Sequence, residues 1–362
     1  MPNPIAPVRA DGVDVNELVI AGKNIARGES LGIDIPVALL PTGTPLSMPI
    51  LVRRGRKDGP SLFVSAAIHG DELNGVEIIR RLNQQKGLSR LHGTLITIPV
   101  VNVYGVIHHS RYLPDRRDLN RSFPGSQRGS VASRLANIFM TEIVANCTHG
   151  IDLHTGAIHR SNLPQLRVNI DDPETRSLAQ AFGVPVIINS DLRDGSLRQA
   201  ASERGIPMLL YEAGEALRFD ELSIRAGVKG IVNVMRELGM LPARRRSSRK
   251  TIEPIVARST AWVRAPESGI FRAFASLGVR VSKGDVLGVV DSTFGDGGAE
   301  VVSPNNGLII GKTAIPLINE GDALFHVARF QAVKGVAENV EVFTEALAES
   351  EPEEPFEEPP II

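Results

Sequence analysis

His69 and Glu72 stand three residues apart in Ala66-Ala67-Ile68-His69-Gly70-Asp71-Glu72-Leu73-Asn74-Gly75, so an imidazole and a carboxylate can face one point. Such a pair is two-thirds of a hydrolytic zinc site, which takes three protein ligands and keeps a fourth position open. Taken alone, the same pair reads as a solvated helix start. The third ligand is His154, in Ile151-Asp152-Leu153-His154-Thr155-Gly156, whose competing reading is a hydrogen-bonded histidine at a sheet edge. Between them runs a polar loop, Arg111-Tyr112-Leu113-Pro114-Asp115-Arg116-Arg117-Asp118-Leu119-Asn120-Arg121-Ser122-Phe123-Pro124-Gly125. Arginine grips a carboxylate through two parallel hydrogen bonds. Two separated arginines here can do two jobs, binding a substrate carboxylate and stabilising an oxyanion. Asp118 can accept from the free ring nitrogen of a metal-bound histidine. The plain alternative for so charged a loop is solubility. Finally, Leu209-Leu210-Tyr211-Glu212-Ala213-Gly214-Glu215 carries Glu212 to the end of an apolar run. Burial there would raise its pKa toward neutrality, as a general base requires. The alternatives are that Glu212 merely caps the next helix, or that Glu215 takes the role; Glu215 reads instead as a solvated partner of that helix's dipole.

These side chains need rigid elements behind them. Ser61 to Ala67 reads as a buried strand after the turn signal Asp58-Gly59-Pro60, and Val76, Ile79 and Leu82 recur at helical spacing, so a helix starts near Glu72. Downstream, strands 94–100, 150–154, 185–189 and 207–212 alternate with helices 72–85, 130–145, 173–182, 197–204 and 216–238. The fold class is α/β, with a central mixed, largely parallel sheet flanked by helices on both faces. In such folds the site lies beyond the carboxyl ends of the strands, where His69, Asn102, His154 and Glu212 all fall. Residues 1–60 look like peripheral strands, with short apolar runs at Val37 to Leu40 and Met48 to Val52. Pro242 to Glu253, with Arg244-Arg245-Arg246-Ser247-Ser248-Arg249-Lys250, reads as a solvated linker; no aromatic residue accompanies it to favour nucleic acid. Residues 254–330 become short glycine-punctuated β pieces, a small all-β module. The stretch from Glu349 to Ile362 is acidic and proline-rich and is expected to be disordered.

Length and composition bound the rest. A chain of 362 residues suggests two domains, and a formal net charge of −1 supplies no field to draw nucleic acid or anionic lipid. A single cysteine, Cys147, fits a reducing compartment. Met1 to Val13 holds three prolines and no apolar run, unlike a signal peptide, and no stretch has the length of a membrane span. The expectation is a cytoplasmic globular protein with no nucleic-acid or membrane partner, and a homo-oligomer is open to it, symmetric dimers being the commonest default.

The set His69-x-x-Glu72, Asp118-Leu119-Asn120-Arg121, Asp152-Leu153-His154 and Glu212-x-Gly214 resembles the succinylglutamate desuccinylase/aspartoacylase family, relatives of zinc carboxypeptidases, over residues 45–330. The resemblance implies a zinc-carboxypeptidase-like domain at 1–245, a β module at 254–330 and a C-terminal extension at 331–362. It implies one Zn2+ per chain on His69, Glu72 and His154, with Asp118 orienting His69. Arg111 would polarise the scissile carbonyl, Asn120 and Arg121 would hold the substrate carboxylate, and Glu212 would be the base and acid. The spacing from Arg111 to Asp118 is longer than in aspartoacylase. The module resembles the barrel-sandwich fold of biotinyl and lipoyl carrier domains through Leu277 to Leu287, but the expected hairpin, Asp291 to Gly298, has no lysine to carry a prosthetic group, so it reads as a lid or an oligomer contact. The expected activity is a zinc-dependent amidohydrolase, a deacylase that cleaves the amide of a small N-acyl amino acid such as an N-acetyl or N-succinyl amino acid. The alternatives are a zinc carboxypeptidase acting on short peptides and a catalytically inactive binding protein. Arg198, in Gly195-Ser196-Leu197-Arg198, either contacts the substrate or is a helix-surface arginine. His108, His109 and His159 lie near the motifs without an assigned role.

Overall fold

Leu62, Phe63 and Val64 are consecutive and all fully buried, which requires a strand covered on both faces. The computed structural model describes residues 17–243, 254–295, 297–330, 340, 342–345 and 347, and sets that strand, Lys57–Ala66, in the middle of a mixed sheet. His92–Ile98, Lys57–Ala66, His149–Gly156 and Met208–Glu215 lie side by side and parallel. One flank is the antiparallel pair Pro45–Arg54 and Ser30–Leu39. On the other flank Arg160–Val168 runs antiparallel to Met208–Glu215. Gly307–Thr313, Ala323–Arg329 and Ser259–Arg264 then continue the sheet, each antiparallel to the last.

Helices Asn74–Asn83, Pro173–Phe182 and Glu221–Glu237 cover one face, burying Leu62, Val64, Ile78, Leu153, Tyr211 and Ile231. Helices Val131–Ile138 and Leu197–Ser202 cover the other, over Phe63, Ile96, Leu135, Phe139 and Met140. Helix Pro173–Phe182 spans the residues that the sequence indicates. The Asp172 side chain accepts from the Thr175 N–H, Pro173 opens the first turn, and Gly183 closes the helix at φ 84°.

Four sequence expectations change. The helix expected over 216–238 begins at Glu221, capped by Asp220; strand Met208–Glu215 runs on further, and Leu217 at φ 60° turns the chain between them. The helix expected over 130–145 is α-helical only to Ile138 and continues as a wider turn over Phe139–Ile143; the Thr141 hydroxyl donates to the Asn137 carbonyl, a contact that loosens helices. The strands before residue 60 do stand at one edge of the sheet, but the short apolar runs at 37–40 and 48–52 belong to ten-residue strands, Ser30–Leu39 and Pro45–Arg54, that pair over most of their length. Strand Arg160–Val168 was not anticipated; it holds Pro164, a residue that central strands seldom carry, in the stretch where the pairing register shifts.

The module at 254–330 is all β, as expected, but it is not hung from the linker alone: five of its strands, Ile255–Ala257, Ser259–Arg264, Arg280–Val281, Gly307–Thr313 and Ala323–Arg329, belong to the main sheet. Gly298–Val302, Val286–Asp291, Gly269–Ala273 and Leu317–Ile318 form a second sheet over it. Val340, Phe343 and Leu347 are buried against the apolar clusters of the body. The arginine run at 244–250, the first 13 residues and the tail from Glu349 lie outside the described residues. Among the described residues no helix is long and apolar enough to cross a membrane.

Candidate active site

The strand Lys57–Ala66 ends at a strained residue. Ala67 has φ 53°, a conformation L-residues seldom adopt, and it swings the chain so that His69 and Glu72 turn back over the strand ends. Gly70 is required there, because a Cβ on it would lie 2.0 Å from the Gly105 carbonyl carbon. His69 Nδ1 lies 2.8 Å from Glu72 Oε1, and His154 Nδ1 lies 2.8 Å from Glu72 Oε2. One donor atom from each of the three residues falls within 4.8 Å of the others, and all three are buried. Two imidazoles and a carboxylate are a donor set that zinc takes. Each ring is braced from behind. His69 Nε2 sits 3.1 Å from Asp118 Oδ1, and His154 Nε2 sits 2.7 Å from Asp152 Oδ2, while the Ser65 hydroxyl donates to Asp152 Oδ1 at 2.7 Å. These carboxylates are the usual partners of metal-binding histidines. Asp118 stands where the sequence puts it; Asp152 was in view in Asp152-Leu153-His154 but carried no role.

The electrostatics follow from crowding charges out of water. Burial alone would raise the Glu72 carboxyl, but the charges of His69 and His154 hold it well below the usual carboxylate range. Burial pushes both rings down, yet Asp152 and Glu72 hold His154 well above its ordinary value, and Glu72 with Asp118 raises His69. Arg111 donates to Glu72 Oε1 at 3.3 Å and to Asp118 Oδ2 at 3.0 Å, tying the loop to the ligand set.

Strand register prints the rest of the site on one face. Residues paired across neighbouring strands put their side chains on the same side. His154 pairs with Glu212, and Glu212 with Gln165; one row back, Asp152 pairs with Leu210, and Leu210 with Arg167. Glu212 therefore stands beside His154. Its setting corrects the expectation of apolar neighbours: the Arg167 guanidinium binds its carboxylate directly. Arg167 was missed together with its strand. Glu215 is also unlike its expectation, being buried at the strand's end and accepting from the Ser161 hydroxyl.

A cavity of ≈ 400 Å³ opens beside Glu212 and His154. Asn120, Arg121, Arg193 and Arg198 line it from one side, and Ser259 and Thr260 of the β module line it from the other. Asn120 Oδ1 accepts from the Leu197 N–H at 2.9 Å, which docks the loop onto the start of helix Leu197–Ser202. Arg198 is not a helix-surface residue: only 8% exposed, it donates to the Ser190 hydroxyl and the Asp191 carbonyl, and burial beside Arg167 and Arg193 pushes it down to about 10. A larger cavity, ≈ 860 Å³, opens among Arg53, Arg56, Lys57, Lys86 and Arg90 and holds none of these residues.

Residues 58–238 match the family model described as Succinylglutamate desuccinylase/Aspartoacylase catalytic domain. The chain is 27% identical over 289 residues to N-alpha-acetyl-L-2,4-diaminobutyric acid deacetylase of Halomonas elongata, a match covering 77% of this chain and 84% of that protein. It shares its fold with the succinylglutamatedesuccinylase/aspartoacylase of Rhodobacter sphaeroides, at TM-score 0.73 and 24% identity over 84% of this chain and 97% of the other. The product-bound Ectoine utilization protein EutE (DoeB) of Ruegeria pomeroyi shares it too, at TM-score 0.75 and 23% identity over 84% and 97%.

Proposed function

This chain belongs to the succinylglutamate desuccinylase/aspartoacylase family, and on that premise we propose that it is a zinc-dependent deacylase that hydrolyses a small N-acyl amino acid. The observation that carries the reading is the row His154–Glu212 beside Glu72 and His69, which sets a carboxylate next to a three-donor metal centre at the mouth of an arginine-lined cavity. His69, Glu72 and His154 would hold the ion, which when bound lowers the pKa of its water and polarises a carbonyl. Glu212, once released by Arg167, takes a proton from the attacking water and returns it to the leaving amine. Arg111 donates to the oxygen that becomes negative in the transition state. Arg121 binds the substrate α-carboxylate, and Asn120 holds Arg121's loop in place.

The 254–330 module, treated as a unit apart from 1–245, contributes a wall of this cavity through Ser259 and Thr260. That supports a small substrate over the long chains a carboxypeptidase accepts. The single cysteine, buried, supports a cytoplasmic setting.

The test is zinc content together with amine release from N-acetyl and N-succinyl amino acids, for the wild type and Glu212→Ala. We expect stoichiometric zinc in both proteins and a loss of ~10²–10⁴-fold in release for the variant. Release that survives Glu212→Ala, or that persists after zinc is stripped, would refute the proposal.

A further inference from the structure

We propose that the ≈ 860 Å³ basic cavity at the far end of the sheet is a docking site for the chain's own acidic segment, residues 348–362. Lys57 and His92 line the cavity as the first residues of strands Lys57–Ala66 and His92–Ile98, so it lies a full strand length from the candidate active site. Arg53, Arg54, Arg56, Lys57, Lys86 and Arg90 supply its cations, and no carboxylate of the described residues lines it. The nearest acids in sequence are committed elsewhere: Asp58 pairs with Arg27, and Glu29 accepts from the Ala26 N–H.

Arg56, Lys57, Lys86 and Arg90 are exposed and make no ion pair among the described residues. Arg53 gives its terminal nitrogens to the Ser30 hydroxyl and the Asn83 carbonyl, both uncharged, and its buried Nε has no partner among the described residues. Cations gathered around one hollow repel one another, and the hollow focuses their field. A single carboxylate answers one of them. Several negative charges spaced along one extended chain answer the whole wall.

Leu347, the last described residue, delivers such a chain to this place. Its side chain is buried with Phe343 in the apolar cluster that also holds Leu88 and Leu91, two residues of the cavity wall. Its carbonyl accepts from Arg225 Nη1 at 3.0 Å; Arg225 Nε donates to Glu221 Oε1 at 2.9 Å, and Arg81 grips both oxygens of Glu221 at 2.8 and 2.9 Å. Arg81 stands in the last turn of helix Asn74–Asn83, and Asn83, Gln85 and Lys86, just beyond it, line the cavity. Residues 348–362 hold six glutamates and neither lysine nor arginine. A chain of that length reaches up to about 50 Å when extended, against about 8–10 Å between packed helix axes.

The cavity beside Glu212 is also rich in arginine, but it lies across the sheet. Helix Leu197–Ser202, which brings Arg198 to that cavity, covers the face opposite the one that buries Leu347. Tethering supplies the rest. A linked segment meets its site at an effective concentration on the order of mM, so a weak contact is filled ahead of a free anion at lower concentration. The docked segment offsets the cations that the fold leaves unpaired and keeps free polyanions off this face.

The experiment places cysteine pairs in the full chain, where Cys147 is buried and burial pushes its thiol up, so it stays out of the exchange. Arg90→Cys with Glu354→Cys probes the basic cavity; Arg193→Cys with Glu354→Cys probes the mouth of the other, and Arg90 and Arg193 are both exposed. Oxidised glutathione should close the first pair ~10-fold or more faster than the second, and about 1 M salt should erase the difference by screening. Equal rates, a faster second pair, or a preference that salt leaves intact would overturn the docking. A second measurement uses a labelled synthetic peptide of residues 348–362. It should bind the full chain carrying glutamine in place of its six tail glutamates ~10-fold tighter than the wild type, whose own segment competes, and adding Lys86→Ala and Arg90→Ala should remove the gain. Equal affinity for the two chains, no binding to either, or a gain that survives the added substitutions would refute the proposal.

Discussion

A proton and the proposed zinc ion would compete for the same atoms of this cluster. His69 and His154 both turn Nδ1 to Glu72, and their carboxylate neighbours raise both rings above the ordinary histidine value. A raised imidazole keeps its proton to higher pH, and the metal must displace it. Zinc affinity should therefore climb as pH rises through neutrality, and zinc uptake at neutral pH should release protons. Calorimetric titration in two buffers of different ionisation enthalpy reads this directly; identical apparent enthalpies would refute it. Asp152 sets the other side of His154, so Asp152→Asn should weaken zinc ~10–100-fold, read by competition with a chromophoric chelator. An undiminished affinity would show that the ring keeps its orientation without the Asp152 charge. The His69–Glu72–His154 cluster and Glu212 stood out as candidates because each lies where a periodic pattern breaks, at a strand end or a helix start. Arg167 did not, because what gives it meaning is register across strands distant in sequence, and no local period records register.

Gly70 is where two elements meet without room for a side chain. Its Cα side faces the backbone of helix Val103–Ile107, and a Cβ there would sit 2.3 Å from both the Gly105 Cα and the Val106 nitrogen. Backbone, unlike the end of a flexible side chain, cannot swing away. Gly70→Ala should therefore push the His69–Glu72 turn off the strand ends, at a cost of about 1–3 kcal/mol in stability and with weaker zinc binding as well. Denaturant unfolding and a zinc titration on the same variant check both; full stability with intact zinc affinity would show that the approach is looser than this. Elements with complete local signals were legible to the residue, as helix Pro173–Phe182 was. Where local signals were weak, tertiary pairing decided: strand Arg160–Val168 carries Pro164 yet is held by both neighbours, and the helix expected from 216 starts only at Glu221 because strand Met208–Glu215 runs on past 212.

The β module and the hydrolase body share one hydrogen-bonded sheet. Gly307–Thr313 pairs with Arg160–Val168, and Ile255–Ala257 pairs with Val186–Asn189, so each joint closes an edge the other part would expose. The apolar contact is shared too: Leu163, Val186 and Ile188 of the body pack with Leu308, Ile310 and Ala328 of the module in one buried cluster. Parts joined through both backbone and core lose both when one unfolds, so neither opens at low cost. The whole chain should accordingly melt in a single calorimetric transition, and zinc, which the proposed site would bind in the body, should raise the melting of the module by the same amount through mass action. Trp262 lies in the module and reports its unfolding separately from the far-ultraviolet circular dichroism of the helices, the long ones of which, among the described residues, belong to the body. Coincident curves from the two probes, shifting together with zinc, are the expected result. A tryptophan transition that comes earlier and ignores zinc would show that the module folds as a separate unit and only leans on the cavity whose wall it forms.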